Sequence, residues 1–191
     1  PIAPATGSNS PVCSGQTLSL SASTVGSSTY SWNGPGSFTS TLQNPVIAGV
    51  TTAETGTYSV TVTVGGCTGP AGTTNVTVNP SPVAPTAGSN SPVCVGTPIN
   101  LTSNTVAGAT YSWTGPSAFS SALEDPTIAS ATTAMAGTYS LTVTVAGCTS
   151  PVATTTVVVN PSPVAPTAGS NSPVCAGATI NLTSNTVAGA T

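Results

Sequence analysis

Three observations predict an all-β chain of tandem sandwich modules. They are a fixed 81-residue repeat, apolar residues that alternate with Ser and Thr, and turn dipeptides at roughly 8–12-residue spacing. Cys13, Cys94 and Cys175 stand 81 residues apart, as do Cys67 and Cys148. SNSPVC recurs from Ser8, Ser89 and Ser170, Tyr-Ser-Trp from Tyr30 and Tyr111, and Gly-Thr-Tyr-Ser from Gly56 and Gly137. The sequence therefore divides into repeats at 1–81 and 82–162, with 163–191 as the first strands (A–B) of a third. A period this long suits one small domain per repeat rather than a solenoid.

Within repeat 1 the strands are read in order. Strand A covers Ala5 to Cys13 and turns at Ser14-Gly15. Strand B, Thr17 to Ser23, carries Leu18, Leu20 and Ala22 on one face. Strand C runs Thr29 to Asn33 and ends at the Gly34-Pro35-Gly36 turn. A weak strand follows at Phe38 to Leu42, then another from Val46 to Val50 after Asn44-Pro45. Strand F, Thr57 to Val64, alternates Tyr58, Val60, Val62 and Val64 with Ser and Thr. This is the composition that a half-buried pleated surface favours. Gly65-Gly66 opens the F–G connection, and strand G covers Thr73 to Val78. Asn79-Pro80-Ser81-Pro82 is a semi-rigid, Pro-rich joint.

A Trp in strand C, followed by Gly-x-Tyr at the start of strand F, resembles the immunoglobulin-like sandwich. On that resemblance Trp32 and Trp113 are core tryptophans, and Tyr58 and Tyr139 are the tyrosines of the E–F corner. The sequence departs from antibody domains at the B–F disulfide, because Val60 and Leu141 stand where the F-strand cysteine would be. A narrower likeness covers the whole chain. SNSPVCxGxxxxL, YSWxGP, AGTYS and GC[ST], in this order and spacing, resemble the Ig-like and PKD-like tandem repeats of giant surface proteins of gliding, type-IX-secreting bacteria. The resemblance implies secretion, a cell-surface location and a role in adhesion or appendage building.

Composition excludes several functions. The chain has no Lys, Arg or His, and its only acids are Glu54, Glu124 and Asp125, for a net charge of −3. Histidine-dependent triads and Schiff-base chemistry have no carrier, so no enzyme and no cofactor are expected. Nucleic acid and anionic membrane surfaces are excluded as partners, since both are bound through Lys and Arg. Lys–Asn isopeptide cross-links are equally impossible. No run of about 20 apolar residues could span a bilayer. The chain begins at Pro1 without an apolar leader and reads as a piece of something longer.

Five cysteines at fixed positions, without a zinc-type CxxC pair, read as a disulfide framework in an oxidising compartment. Two pairings are open. Within repeats, Cys13–Cys67 and Cys94–Cys148 would close 54-residue loops, worth roughly 4 kcal/mol each in the chain-entropy model, and leave Cys175 over. In an Ig-like sandwich, however, the A–B and F–G turns lie at opposite poles, about 25 Å apart for an eight-residue strand. A disulfide needs Cα atoms within about 7 Å. The alternative is a Cys13–Cys148 staple across repeats, with Cys67 and Cys94 pairing further along an array. An irregular strand A would restore the first pairing.

Tyr30 and Trp32, with Tyr111 and Trp113, read as core aromatics, a sugar-stacking platform being the alternative. Phe38 and Phe119 follow Gly-Pro turns and are expected to be exposed, forming a contact patch. Glu54 is replaced by Met135 in repeat 2, and Glu124-Asp125 by Gln43-Asn44 in repeat 1, so no shared metal site is expected and the acidic pair reads as a solvated turn. Asn75, Asn100 and Asn181 begin N-x-Thr triplets, a weak glycosylation signal in a Thr-rich chain.

The expected function is an extracellular stalk or filament segment, whose partners are neighbouring repeats and other copies in a filament. The alternative is an adhesin module holding a glycan. The third A–B segment could also complete a sandwich in another subunit.

Overall fold

The computed structural model describes residues 1–187. Two hydrophobic cores form, one from buried residues between Val12 and Val78, the other between Val93 and Val159. Each core is enclosed by two sheets built in the same order.

In the first module one sheet is β1 (Thr6–Ser8), β3 (Leu18–Ala22) and β6 (Val46–Ile47), with β3 central. The facing sheet runs β5 (Phe38–Ser40), β4 (Ser28–Gly34) and β7 (Gly56–Val64), with β8 (Cys67–Thr68) and β9 (Gly72–Val76) both paired to β7. β2 (Val12–Cys13) runs parallel to β10 (Val78–Asn79) and closes that side. The long β4–β7 pairing sets Trp32 opposite Val60 and Tyr30 opposite Val62. All four side chains therefore point at the Leu18 and Leu20 face of β3, as the period of two requires.

The second module repeats this as β11 (Ala87–Ser89), β12 (Val93–Cys94), β13 (Ile99–Ser103), β14 (Thr110–Gly115), β15 (Phe119–Ser121), β16 (Thr127–Ile128), β17 (Gly137–Val145), β18 (Cys148–Thr149), β19 (Ala153–Val157) and β20 (Val159–Asn160). A third hairpin, β21 (Ala168–Ser170) with β22 (Leu182–Ser184), follows. The end of the third segment, 188–191, lies outside the described residues.

Strand A departs from the expected single strand. It is split in two around the cis Ser10–Pro11 bond: β1 pairs with β3 in the three-stranded sheet, and β2 pairs with β10 in a separate two-stranded ladder. The SNSPVC segment supplies each contact at the crossing. Asn9 clasps β3, accepting from Ser19 N at 2.8 Å and donating to Thr17 O at 3.0 Å. The Ser10 hydroxyl accepts from Thr77 N at 2.8 Å, where strand G is interrupted between β9 and β10. Val12 then enters the core. Asn90 and Ser91 repeat these bonds in the second module.

The strand expected at Val46–Val50 is shortened to Val46–Ile47, and a 3-10 turn at Thr52–Glu54 follows. Val50 is nonetheless core. It is held by Gly15 N to Val50 O at 2.7 Å and Val50 N to Gln16 O at 3.0 Å.

Candidate functional site: the joint between modules

The first module's A–B turn meets the F–G turn of the second. Cys13, at the end of β2, is bonded to Cys148, the first residue of β18, with Cα atoms 5.6 Å apart. Cys148 is buried by this contact. The turn that presents it needs two left-handed residues, Ala146 at φ 49° and Gly147 at φ 81°, the geometry of a tight two-residue hairpin. Gly65 and Gly66 fill the same positions in the first module. Asn79 adds a polar clasp across the joint, its Nδ2 donating to Ala146 O at 3.0 Å. Behind it, the Ser81 hydroxyl donates to Ser14 O at 3.0 Å, and Ser14 N donates to Asn79 O at 2.8 Å. The joint segment is thus tied to the A–B turn on one side and to the next module on the other.

The within-repeat pairing is not formed. Cys67 sits at the far pole of the first module from Cys13, and Cys67, Cys94 and Cys175 are free thiols, exposed, among the described residues. The break in strand A leaves Cys13 in parallel pairing with Asn79, beside the exit of the module, so the irregular strand carries it no nearer to Cys67.

The aromatic candidates pack inward. Trp32, Trp113, Tyr58 and Tyr139 are each 1% exposed or less. Trp32 Nε1 donates to Gln43 O at 3.3 Å and Trp113 Nε1 to Glu124 O at 3.1 Å. The Tyr58 hydroxyl donates to Glu54 O, and that of Tyr139 to Met135 O, both at 3.0 Å. Burial pushes both phenols above their ordinary pKa, and the Glu54 carboxylate adds to this at Tyr58, so both stay donors at neutral pH. Phe38 and Phe119 are half-buried rather than exposed. Each sets its ring edge-on to the corner tyrosine, with centroids 5.6 and 5.5 Å apart. The contact patch expected there has its apolar face turned to the core. Tyr30 is also buried, and its hydroxyl bridges Val25 N and Ser23 O.

The three carboxylates are engaged in structure. Glu54 and Thr51 form a reciprocal cap on the 3-10 turn, Thr51 N reaching Glu54 Oε2 at 2.7 Å, and this holds the carboxyl below the ordinary glutamate pKa. Asp125 accepts from Ser103 N at 2.8 Å, and Asn44 accepts from Ala22 N in the same place at 3.1 Å. Glu124 accepts from the Thr105 hydroxyl. The acidic pair therefore pins the end of strand B, as Asn44 does from the same place in the first module, and is not a merely solvated turn. Among the described residues no three His, Cys, Asp or Glu side chains gather to hold a metal.

Sequence reasoning named Asn79 only as part of the joint and Gly34 only as part of a turn, and missed the clasp to Ala146 and the packing of Gly34 and Gly115 beneath the tyrosine rings. A Cβ on Gly34 would stand 2.3 Å from Tyr58 Cδ1, and one on Gly115 2.4 Å from Tyr139 Cδ1. Gly56 likewise rests on Pro35, where a Cβ would lie 2.8 Å from the ring. The YSWxGP and AGTYS motifs are two halves of one contact. The recurrence of Asn79 at Asn160 was the available signal for the joint.

No protein-family model matches the chain. No curated protein matches it either. Among solved structures, a marsupial T cell receptor superposes with a TM-score of 0.50 at 13% identity, covering 86% of this chain and 76% of the receptor chain. Murine CEACAM1b gives 0.49 at 13% identity, over 83% of this chain and 99% of that one. Extracellular domains 3–5 of Drosophila OTK give 0.48 at 13% identity, over 83% and 60%. At such identity the likeness speaks to fold alone. The sheet order, with the superposition on the receptor at 0.50, defines the class: tandem immunoglobulin-like β-sandwiches.

Proposed function

We propose that the chain is a segment of an extracellular stalk or filament, in which each 81-residue period is one sandwich and the joints resist bending and extension. The observation that carries this reading is the Cys13–Cys148 bond, placed across the joint rather than inside a module. A disulfide within a sandwich would serve that sandwich alone. One between neighbours couples them mechanically and requires an oxidising compartment. The surface agrees with such a role. Its hydroxyls and amides hydrate without charge, and a net charge of −3 on 191 residues leaves little repulsion between adjacent copies. The absence of Lys and Arg removes every trypsin site, so an exposed polymer persists. The motif resemblance extends the proposal to a bacterial cell surface of the gliding, type-IX-secreting kind.

The adhesin alternative has less to stand on, because Tyr30 and Trp32 are buried and Phe38 and Phe119 pack half-buried against the core. Electron microscopy of the native assembly tests the reading. Extended strings or fibres with an axial period of about 30–40 Å, the height of one sandwich, are expected. Compact particles without axial order would contradict it. On a glycan array the spacer reading predicts no binding, and binding abolished by Phe38→Ala would revive the adhesin.

A further inference from the structure

The third hairpin and Cys94 are both exposed to solvent. β21 and β22 pair in the register of their counterparts, Ala168 opposite Ser184 as Ala87 is opposite Ser103. The Asn clasp is also repeated, Asn181 N donating to Asn171 Oδ1 at 2.8 Å. The residues that are core elsewhere are bare here. Ile180 is 62% exposed and Leu182 81%, against 0% for Ile99 and 1% for Leu101. Cys94 occupies the position of Cys13, at the A–B turn, and its thiol is free and exposed.

The first two modules show what covers such a hairpin. β11 and β13 lie beneath the C-to-G sheet of their own module, and the F–G turn of that same sheet delivers Cys148 to Cys13. The apolar cover and the cysteine partner arrive as one body. Residues 163–187 differ from 82–106 only at Ala176, Ala178 and Thr179, which replace Val95, Thr97 and Pro98 in the exposed A–B turn. The inward positions Val174, Ile180 and Leu182 match Val93, Ile99 and Leu101 in identity. A sheet that fits the second hairpin therefore fits the third.

We propose that the 163–187 hairpin and the Cys94 thiol form one composite docking site for the C-to-G sheet of a second copy of this 81-residue unit. The sheet seats on Ile180 and Leu182 as β14 and β17 seat on Ile99 and Leu101, and its F–G-turn cysteine is oxidised onto Cys94. Two thiols lose two protons and two electrons to a disulfide oxidant such as oxidised glutathione, which leaves as two reduced thiols. This holds whether the rod serves as a spacer or as an adhesin.

The test appends a second copy of residues 111–161 after Thr191 of the full chain and folds the product in glutathione buffer. Pepsin digestion without reduction is then mapped by mass spectrometry, since the chain offers trypsin no site. The expected map joins Cys94 to the appended copy of Cys148, retains Cys13–Cys148, and leaves Cys67 and Cys175 open to alkylation. Amide exchange in β22 slows at least 100-fold relative to the 191-residue chain. In the same extended chain, Cys94→Ser keeps that protection and frees the appended cysteine, which separates seating from locking. Cys94 found alkylated or joined elsewhere, or β22 exchanging as fast as in the unextended chain, overturns the proposal.

Discussion

Gly34 and Gly115 carry no side chain because a tyrosine ring fills the space. Neither glycine has a positive φ, so the requirement is contact and not backbone conformation. Gly115→Ala is expected to cost about 2–3 kcal/mol through overpacking and to lower the second module's melting temperature by roughly 10 °C or more. A calorimetric shift of only a degree or two would refute the contact. Glu54 gives a pH-dependent case. Its folded pKa lies below the unfolded value, so the native state binds fewer protons and the cap stabilises most fully above about pH 4.3. That contribution is lost as acidity passes the depressed folded value. Glu54→Met, which copies Met135, should lower thermal stability at neutral pH and leave it unchanged in strong acid. A difference independent of pH would mean that the carboxylate is not the cause. At this level the sequence was half legible. The alternation rule places Trp32 and Tyr58 in the core, but it is silent on Phe38, whose direction depends on a turn two residues before it.

Strand A shows where periodicity fails. A pattern of apolar and polar residues reports which face is buried, and the two ends of this strand bury against different sheets. The segment SNSPVC was visible as a repeat, yet its meaning depends on partners 10 and 67 residues away, Ser19 and Thr77. Strand F needed no such partners to be read. Tyr58, Val60 and Val62 alternate cleanly, and β7 spans Gly56–Val64 against an expected Thr57–Val64. The F–G turn carries a prediction of its own. Ala146 is left-handed where the first module has Gly65, a conformation that costs an alanine about 1–2 kcal/mol. Part of that is offset because alanine restricts the unfolded chain. Ala146→Gly should therefore stabilise the second module by about 0.5 kcal/mol in denaturant titration, while the bond from Asn79 to the Ala146 carbonyl is retained. A destabilised variant would show that the turn is not strained.

The joint ties the two modules together through the Cys13–Cys148 bond and the Asn79 clasp. The cysteine spacing read as a framework paired within repeats, and the distance between the poles of an Ig-like sandwich opened a second pairing across repeats. Choosing between them required the path of strand A. The bond closes a loop with a sequence separation of 135, worth roughly 5 kcal/mol in the chain-entropy model. Cys148→Ser should accordingly lower the denaturant midpoint under oxidising conditions and have little effect in reductant, and equal loss in both would assign the effect to packing alone. Under tension the consequence is larger, because force applied at the termini crosses from Cys13 to Cys148 and bypasses the chain between them. Single-molecule stretching with and without reductant measures this most directly. The account predicts that reduction adds roughly 450 Å of contour length, the extended length of the shielded segment with its separation of 135 residues. Equal contour lengths in the two conditions would contradict it.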